Sequence, residues 1–111
     1  MKYHVTVLPE ADQNVDRIYL WIAKRSSKGA GRWYLRFLEV MESLRENPQT
    51  HGLAPENEFV KPEIRQIIFK TKRGLPYRAL FRILKTEVQI LHVRGPGQDL
   101  LTQNDLPRDE E

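Results

Sequence analysis

Three β-type segments follow one another in the last third of the 111-residue chain, and only short turns separate them. The segments cover residues 64–70, 77–85 and 87–94, where apolar side chains alternate with polar ones or form short apolar runs. Glycine and proline mark the first turn at 73–76, and residues 85–87 form a tight second one. Strands joined by such short turns run antiparallel, so the sequence predicts an antiparallel meander.

A strand and two amphipathic helices precede this meander. Residues 2–8 alternate as a strand does, and Pro9 suits the first position of a helix. Apolar side chains then recur at steps of three and four, interrupted by the serines and glycines at 26–31. These helical positions are Ala11, Val15, Ile18 and Ile22, then Ala30, Tyr34, Phe37, Met41 and Leu44. We predict an α+β fold: an N-terminal strand and an antiparallel helical hairpin packed on a mainly antiparallel four-stranded sheet.

The length fits one domain with one core. We expect this domain to span residues 1–98 and the acidic segment 99–111 to be a flexible tail. Residues 48–62 contain three prolines and a glycine and show no periodicity. A loop of this length is uncommon in a small domain, and such loops are often functional or mobile.

Positive charge is concentrated in the predicted meander. The chain carries a formal net charge of +3, yet residues 1–64 balance at nine basic and nine acidic side chains. Residues 65–94 hold eight basic residues against the single acid Glu87, an excess of seven. This segment is predicted to recognise a polyanion or an acidic peptide. A merely solvated basic face of the sheet is the alternative.

Several classes of function are disfavoured by what the sequence lacks. Cysteine is absent, which excludes disulfides and thiolate metal sites. No glycine-rich phosphate loop and no metal-type spacing of His, Asp and Glu is present, so we expect no cofactor and no metal. No stretch of about 18 apolar residues predicts a membrane span, and no signal-peptide core opens the chain. A cytoplasmic protein without a membrane partner is expected.

Strand alternation places Arg78 and Arg82 on one face of the middle strand, opposite the better core face at positions 77, 79, 81 and 83. The register of the last hairpin decides whether His92 joins them. A two-residue loop sets His92 beside Ala79, whereas a register one residue longer sets it beside Leu80 and sets position 94 beside position 78. A slip of one residue turns a whole strand over. The sequence leaves both registers open.

The order and spacing of these segments resemble the RelE/ParE superfamily of type II toxin–antitoxin toxins, which includes plasmid-stabilisation proteins. The resemblance covers roughly residues 3–101. Its most specific parts are YRALFR at 77–82, VQILHV at 88–93 and the trailing Asp99. Many relatives carry a His-Gly-x-Arg-Asp pattern after the last strand, whereas this chain reads GPGQD at 95–99, without that histidine and arginine.

The resemblance implies a toxin neutralised by a cognate antitoxin peptide, in a homodimer or a toxin–antitoxin hetero-oligomer. RelE-like members are endoribonucleases that cut messenger RNA on the ribosome and need no metal. ParE-like members share the fold and inhibit DNA gyrase. Both activities stay open at this point. A third reading is a non-toxic homologue that only binds its antitoxin, as a corepressor on operator DNA.

Ribonuclease chemistry needs an acid, a base and cations around the phosphorane. Arg78 matches the Tyr-Arg motif of the superfamily and is the candidate for phosphate stabilisation, because its planar fork grips phosphate oxygens. Arg65 matches the arginine that opens the preceding strand, and His92 is the candidate acid or base. The structural alternatives are a partner contact for Arg78, loop positioning for Arg65 and packing for His92. The candidates for phosphate or partner binding are Lys70, Lys72, Arg73, Arg82 and Arg94.

Overall fold

Two helices cover one face of a four-stranded sheet in a computed structural model of the chain, which describes residues 2–107. The elements in chain order are β1 (His4–Val7), α1 (Pro9–Ala23), α2 (Ser27–Ser43), β2 (Arg65–Phe69), β3 (Tyr77–Leu84) and β4 (Glu87–Arg94). Short 3-10 turns lie at Pro48–Thr50, Pro55–Glu58 and Gln103–Asp105. The predicted α+β fold class is confirmed.

The strands lie in the order β1-β4-β3-β2. The two hairpin pairs, β2 with β3 and β3 with β4, are antiparallel, as the short turns predict. The N-terminal strand β1 pairs in parallel with β4, from His4 opposite Glu87 to Val7 opposite Ile90. The sheet is therefore mixed but mostly antiparallel, with β1 at one edge and β2 at the other.

A β-bulge in the β3–β4 pair combines the two registers that the sequence left open. From Leu84 opposite Glu87 to Phe81 opposite Ile90, the pairing is that of the two-residue loop. The register then shifts by one residue, so that Leu80 lies opposite His92 and Arg78 opposite Arg94. The extra residue of a bulge turns the following side chains to the other face of the sheet. Each predicted register holds for half of the hairpin.

The helical hairpin and the facing side of the sheet form the first core. Trp33 contacts two aromatic residues of the sheet in this core, with its ring centroid 5.4 Å from that of Tyr77 and 5.9 Å from that of Phe69. The buried members are Ala11, Val15, Trp33, Phe37, Val40, Met41, Leu44, Phe69, Tyr77, Ala79, Phe81, Val88, Ile90 and Val93. The predicted helical stripe is thus largely correct, although Trp33 and Val40 are buried while Tyr34 is exposed.

Helix α2 begins earlier than its apolar pattern suggests. The hydroxyl oxygen of Ser26 accepts a hydrogen bond from the backbone N–H of Gly29 at 2.9 Å. This cap satisfies one of the otherwise unpaired N–H groups of the first turn. The helix therefore runs through the two glycines, Gly29 and Gly31, that the sequence pattern marks as an interruption.

A second, smaller core covers the opposite face of the sheet. It is formed by the loop that follows α2 and by the segment that follows β4. Its buried members are Ala54, Val60, Ile64, Leu80, Leu91, Leu101 and Leu106. Leu101 and Leu106 belong to the predicted tail, and both side chains are buried in this core. Positions 108–111 of that tail lie outside the described residues. Within residues 2–107, neither helix is long and apolar enough to span a membrane.

Candidate functional site

Four of the predicted site residues share the face of the sheet that carries the second core, two by strand alternation and two because of the bulge. Arg78 and Arg82 point to this face from β3, because they alternate with the first-core residues of that strand. His92 and Arg94 join them because they follow the bulge. Arg65 lies opposite Phe81, on the helix side, so alternation separates it from Arg78.

Arg78 forms a bidentate ion pair with Glu56. Its Nη1 donates to Oε1 of Glu56 at 2.9 Å, and its Nη2 donates to Oε2 at 2.8 Å. Nη1 also donates to the side-chain oxygen of Gln66 on β2 at 2.9 Å. Glu56 has no exposed surface, and the side chain of Arg78 is largely covered. The two terminal nitrogens of Arg78, which would bind the oxygens of a phosphate, therefore already donate to protein acceptors.

Glu56 also binds the segment that follows β4, because its Oε2 accepts a hydrogen bond from the backbone N–H of Leu101 at 3.0 Å. Burial alone would raise the pKa of Glu56. The hydrogen bonds from Arg78 and Leu101, together with the charge of Arg78, outweigh burial and hold this pKa below its ordinary value. Glu56 is thus an ionised, internally paired carboxylate that joins the loop, β3 and the C-terminal segment.

His92 is held between α1 and the C-terminal segment. Its Nδ1 lies 3.0 Å from the side-chain oxygen of Asn14, and its Nε2 lies 2.6 Å from the backbone carbonyl oxygen of Asp105. The same Asn14 oxygen accepts the backbone N–H of Val93 at 3.0 Å. Both ring nitrogens therefore face internal acceptors. The predicted proton-transfer role of His92 would first require this segment to open.

Arg94 completes the contacts of this segment. Its Nη2 lies 3.9 Å from a carboxylate oxygen of Asp105, and its buried Nε has no hydrogen-bond partner within residues 2–107. The pKa of Asp105 is lowered, chiefly because the backbone N–H of Thr102 donates to its carboxylate. Burial would raise this pKa, but a hydrogen bond from the Thr102 hydroxyl and the charge of Arg94 lower it further. Arg78 and Arg94 lie opposite each other on β3 and β4, where like charges repel. Glu56 compensates the charge of Arg78, and Asp105 compensates that of Arg94.

The remaining predicted residues occupy three different places. Arg65 donates to the backbone carbonyl oxygen of His51 at 2.7 Å and pairs with Glu63 at 3.2 Å, which fits the loop-positioning alternative. Arg82 is buried and donates to the side-chain oxygen of Gln89 at 2.7 Å. Three cations lie exposed at or near the turn between β2 and β3: Lys70, Lys72 and Arg73.

The arrangement on the second face is a structural network more than an open site. Glu56, Gln66 and Asp105 complete it, and sequence reasoning missed all three as partners. Glu56 was visible only as an acid in an aperiodic loop, and no spacing linked it to a residue 22 positions away. Among the described residues, no group of three or more His, Asp or Glu side chains could hold a metal ion.

Comparisons with known proteins agree with this fold. A solved structure titled "Chromosomal ParDE TA system from P. aeruginosa" superposes with a TM-score of 0.65 at 20% sequence identity, covering 85% of this chain and 96% of that chain. A search of the curated proteins finds no match. Residues 5–100 match the family described as "ParE toxin of type II toxin-antitoxin system, parDE". The chain therefore belongs to the ParE toxin family of type II toxin–antitoxin systems.

Proposed function

We propose that this ParE-family toxin acts by inhibiting DNA gyrase and does not cut messenger RNA. The observation that carries the proposal is the bidentate pair between Arg78 and the fully buried Glu56. A ribonuclease of this superfamily would need Arg78 to receive a phosphate, and here a carboxylate already occupies that position. The toxin would instead act through surface contacts with a protein target.

The energetics of releasing Arg78 support this proposal. Breaking a buried ion pair leaves an uncompensated charge, which costs about 3–5 kcal/mol. Binding of an RNA phosphate to Arg78 would have to offset this free energy. It would also have to displace the C-terminal segment, because the backbone N–H of Leu101 donates to the same carboxylate. The candidate acid or base His92 is enclosed by that segment as well. None of these groups is presented to a substrate in this arrangement.

The purified chain is expected to inhibit gyrase supercoiling in vitro while leaving a cell-free translation reaction unaffected. In cells, its induction should cause double-strand breaks and filamentation before protein synthesis falls. Codon-dependent cuts in messenger RNA, appearing within minutes of induction, would contradict the proposal. A chain that leaves both reactions and cell growth unchanged, yet binds its antitoxin on operator DNA, would support the corepressor reading in its place.

We further propose that the antitoxin covers the outer face of the helical hairpin. Family membership implies an antitoxin partner. This face exposes five large apolar side chains, none of which belongs to either core. Tyr19 and Tyr34 contact each other edge to face across the two helices, with ring centroids 6.2 Å apart. Leu35 and Leu38 line a shallow concavity beside them. The exposed members are Tyr19, Leu20, Tyr34, Leu35 and Leu38.

A Leu35→Glu change should weaken antitoxin binding by about tenfold or more, because a leucine buried at an interface contributes about 1.5–3 kcal/mol. Leu35 is 63% exposed in the free chain, so the free energy of unfolding should not change. The matched control is Ile68→Glu on β2, which is 59% exposed on a different surface. Titration calorimetry with the antitoxin measures both variants. An equal loss of antitoxin affinity in the two variants would contradict a binding site on the outer face of the helical hairpin.

A further inference from the structure

A groove separates the tip of the helical hairpin from the turn between β2 and β3. Its cavity volume is about 610 Å³. Four cationic side chains line it, two from each wall, together with aromatic and small residues and without any acid. The cations are Arg25, Arg32, Lys72 and Arg73. The groove lies on the helix side of the molecule, away from the network around Glu56.

The charge of the groove arises where two acid-free parts of the chain meet. Residues 17–38 contain six basic residues and no acid, and residues 64–86 contain seven basic residues and no acid. The balanced total of residues 1–64 hides the first of these segments. None of the four groove cations forms an ion pair within the described residues. Their positive potential is therefore not neutralised by the fold.

Hydrogen-bond donors add to this potential. The groove includes Ser26 and Gly29 at the N-terminus of the 17-residue helix α2, whose first turn carries no acid. The dipole at such a terminus favours an anion, while the N–H of Gly29 itself already donates to the hydroxyl of Ser26. Trp33 also lines the groove; it is 2% exposed, and its indole N–H has no acceptor within residues 2–107. A buried unpaired donor is unfavourable until an acceptor reaches it.

An aromatic side chain at the rim adds a second type of recognition. Trp21 is 47% exposed, and the guanidinium carbon of Arg25 lies 4.2 Å from the centroid of its ring. Grooves that bind single strands combine cations along the backbone with aromatic rings on which bases stack. An acidic peptide would use the cations but gains less from the exposed indole ring.

We propose that this groove binds single-stranded nucleic acid, with its four cations on the phosphate backbone and Trp21 against a base. The inference is independent of gyrase inhibition, because it concerns different residues on a different face. It assigns a role to Arg25 and Arg32, which the charge count along the sequence did not single out, and it gives Lys72 and Arg73 a common ligand.

The test is fluorescence anisotropy of a short labelled oligothymidylate with the full chain over a range of salt concentrations. Four phosphate contacts predict a slope of log K against log salt of about −3. Arg32→Gln and Arg73→Gln should each reduce the magnitude of that slope by about 0.7. Trp21→Leu should weaken binding by about tenfold while the slope stays unchanged.

Lys85→Asn is the matched control. It also removes one exposed positive charge, and asparagine tolerates the positive φ of 57° at this position. Lys85 lies in the turn at the opposite end of β3 from Tyr77, so its removal should change the slope by much less than either groove variant. The proposal is overturned if Lys85→Asn has the same effect as Arg32→Gln, or if poly-glutamate displaces the oligonucleotide at equal concentration. Tighter binding of a matched duplex would also contradict it.

Discussion

Replacing Arg78 by alanine is expected to lower the free energy of unfolding by about 3–5 kcal/mol. The change leaves Glu56 buried and ionised without its bidentate partner, at a position with no exposed surface. Small domains are stable by only about 5–15 kcal/mol, so the variant would lose a large part of its total stability. Chemical denaturation followed by circular dichroism measures the effect.

Two controls separate this cause from a general sensitivity to lost charge. The exposed pair of Arg36 with Glu39, at 3.6 Å, should contribute no more than about 1 kcal/mol, so Arg36→Ala should be nearly neutral. Adding Glu56→Gln to Arg78→Ala should recover part of the loss, because the buried charge is then removed. A fully stable Arg78→Ala variant would contradict the structural role. Loss of toxicity on mutating Arg78 therefore identifies a site residue only if the variant remains folded.

Truncation of the chain after Gln98 should destabilise the protein by more than about 4 kcal/mol. The truncation removes Leu101 and Leu106 from the second core, where each is almost fully buried. Loss of one buried leucine side chain costs about 2–5 kcal/mol. The truncation also removes the backbone N–H that Leu101 donates to Glu56. Thermal and urea unfolding of the truncated and full chains make the comparison.

Point variants show whether the effect comes from packing. Leu101→Ala alone should cost about 2–5 kcal/mol. Its neighbour Leu100 is exposed, so Leu100→Ala should stay within about 0.5 kcal/mol of the parent chain. Unfolding of the truncated chain at the same urea concentration as the full chain would mean that residues 99–111 are a flexible tail, as their composition suggests. The boundary at residue 98 remains a prediction until this is measured.

Periodic segments made the order and type of the elements predictable from the sequence. The hairpin of α1 and α2 and the three successive strands follow from apolar spacing and turn residues, which act locally. Helix α2 started early because one serine cap outweighed two glycines. The register of β4 was not predictable, because a bulge at Leu91 has no distinct pattern in an apolar run and changes which side chains share a face.

The site was harder to predict than the fold because its contacts join distant positions. Alternation correctly placed Arg78 and Arg82 together, yet it could not show that Glu56 would neutralise Arg78 from a loop 22 residues away. The net charge of residues 1–64 is zero, so the count over this long stretch hid the basic segment at 17–38 in the helical hairpin. Arg32 and Trp33 became candidates only when the fold brought them to Lys72 and Arg73. Charge excess indicates a partner, but only tertiary structure shows which cations remain free to meet it.

The parallel pairing of β1 with β4 has a consequence for biosynthesis. β1 hydrogen-bonds to no other strand, so His4–Val7 cannot join the sheet until residues 87–94 have left the ribosome. Translation adds about 5–20 residues per second, so the nascent chain spends several seconds without a complete sheet. The strand made first is thus among the last to find its partner, and closure of this edge of the sheet depends on synthesis of nearly the whole chain.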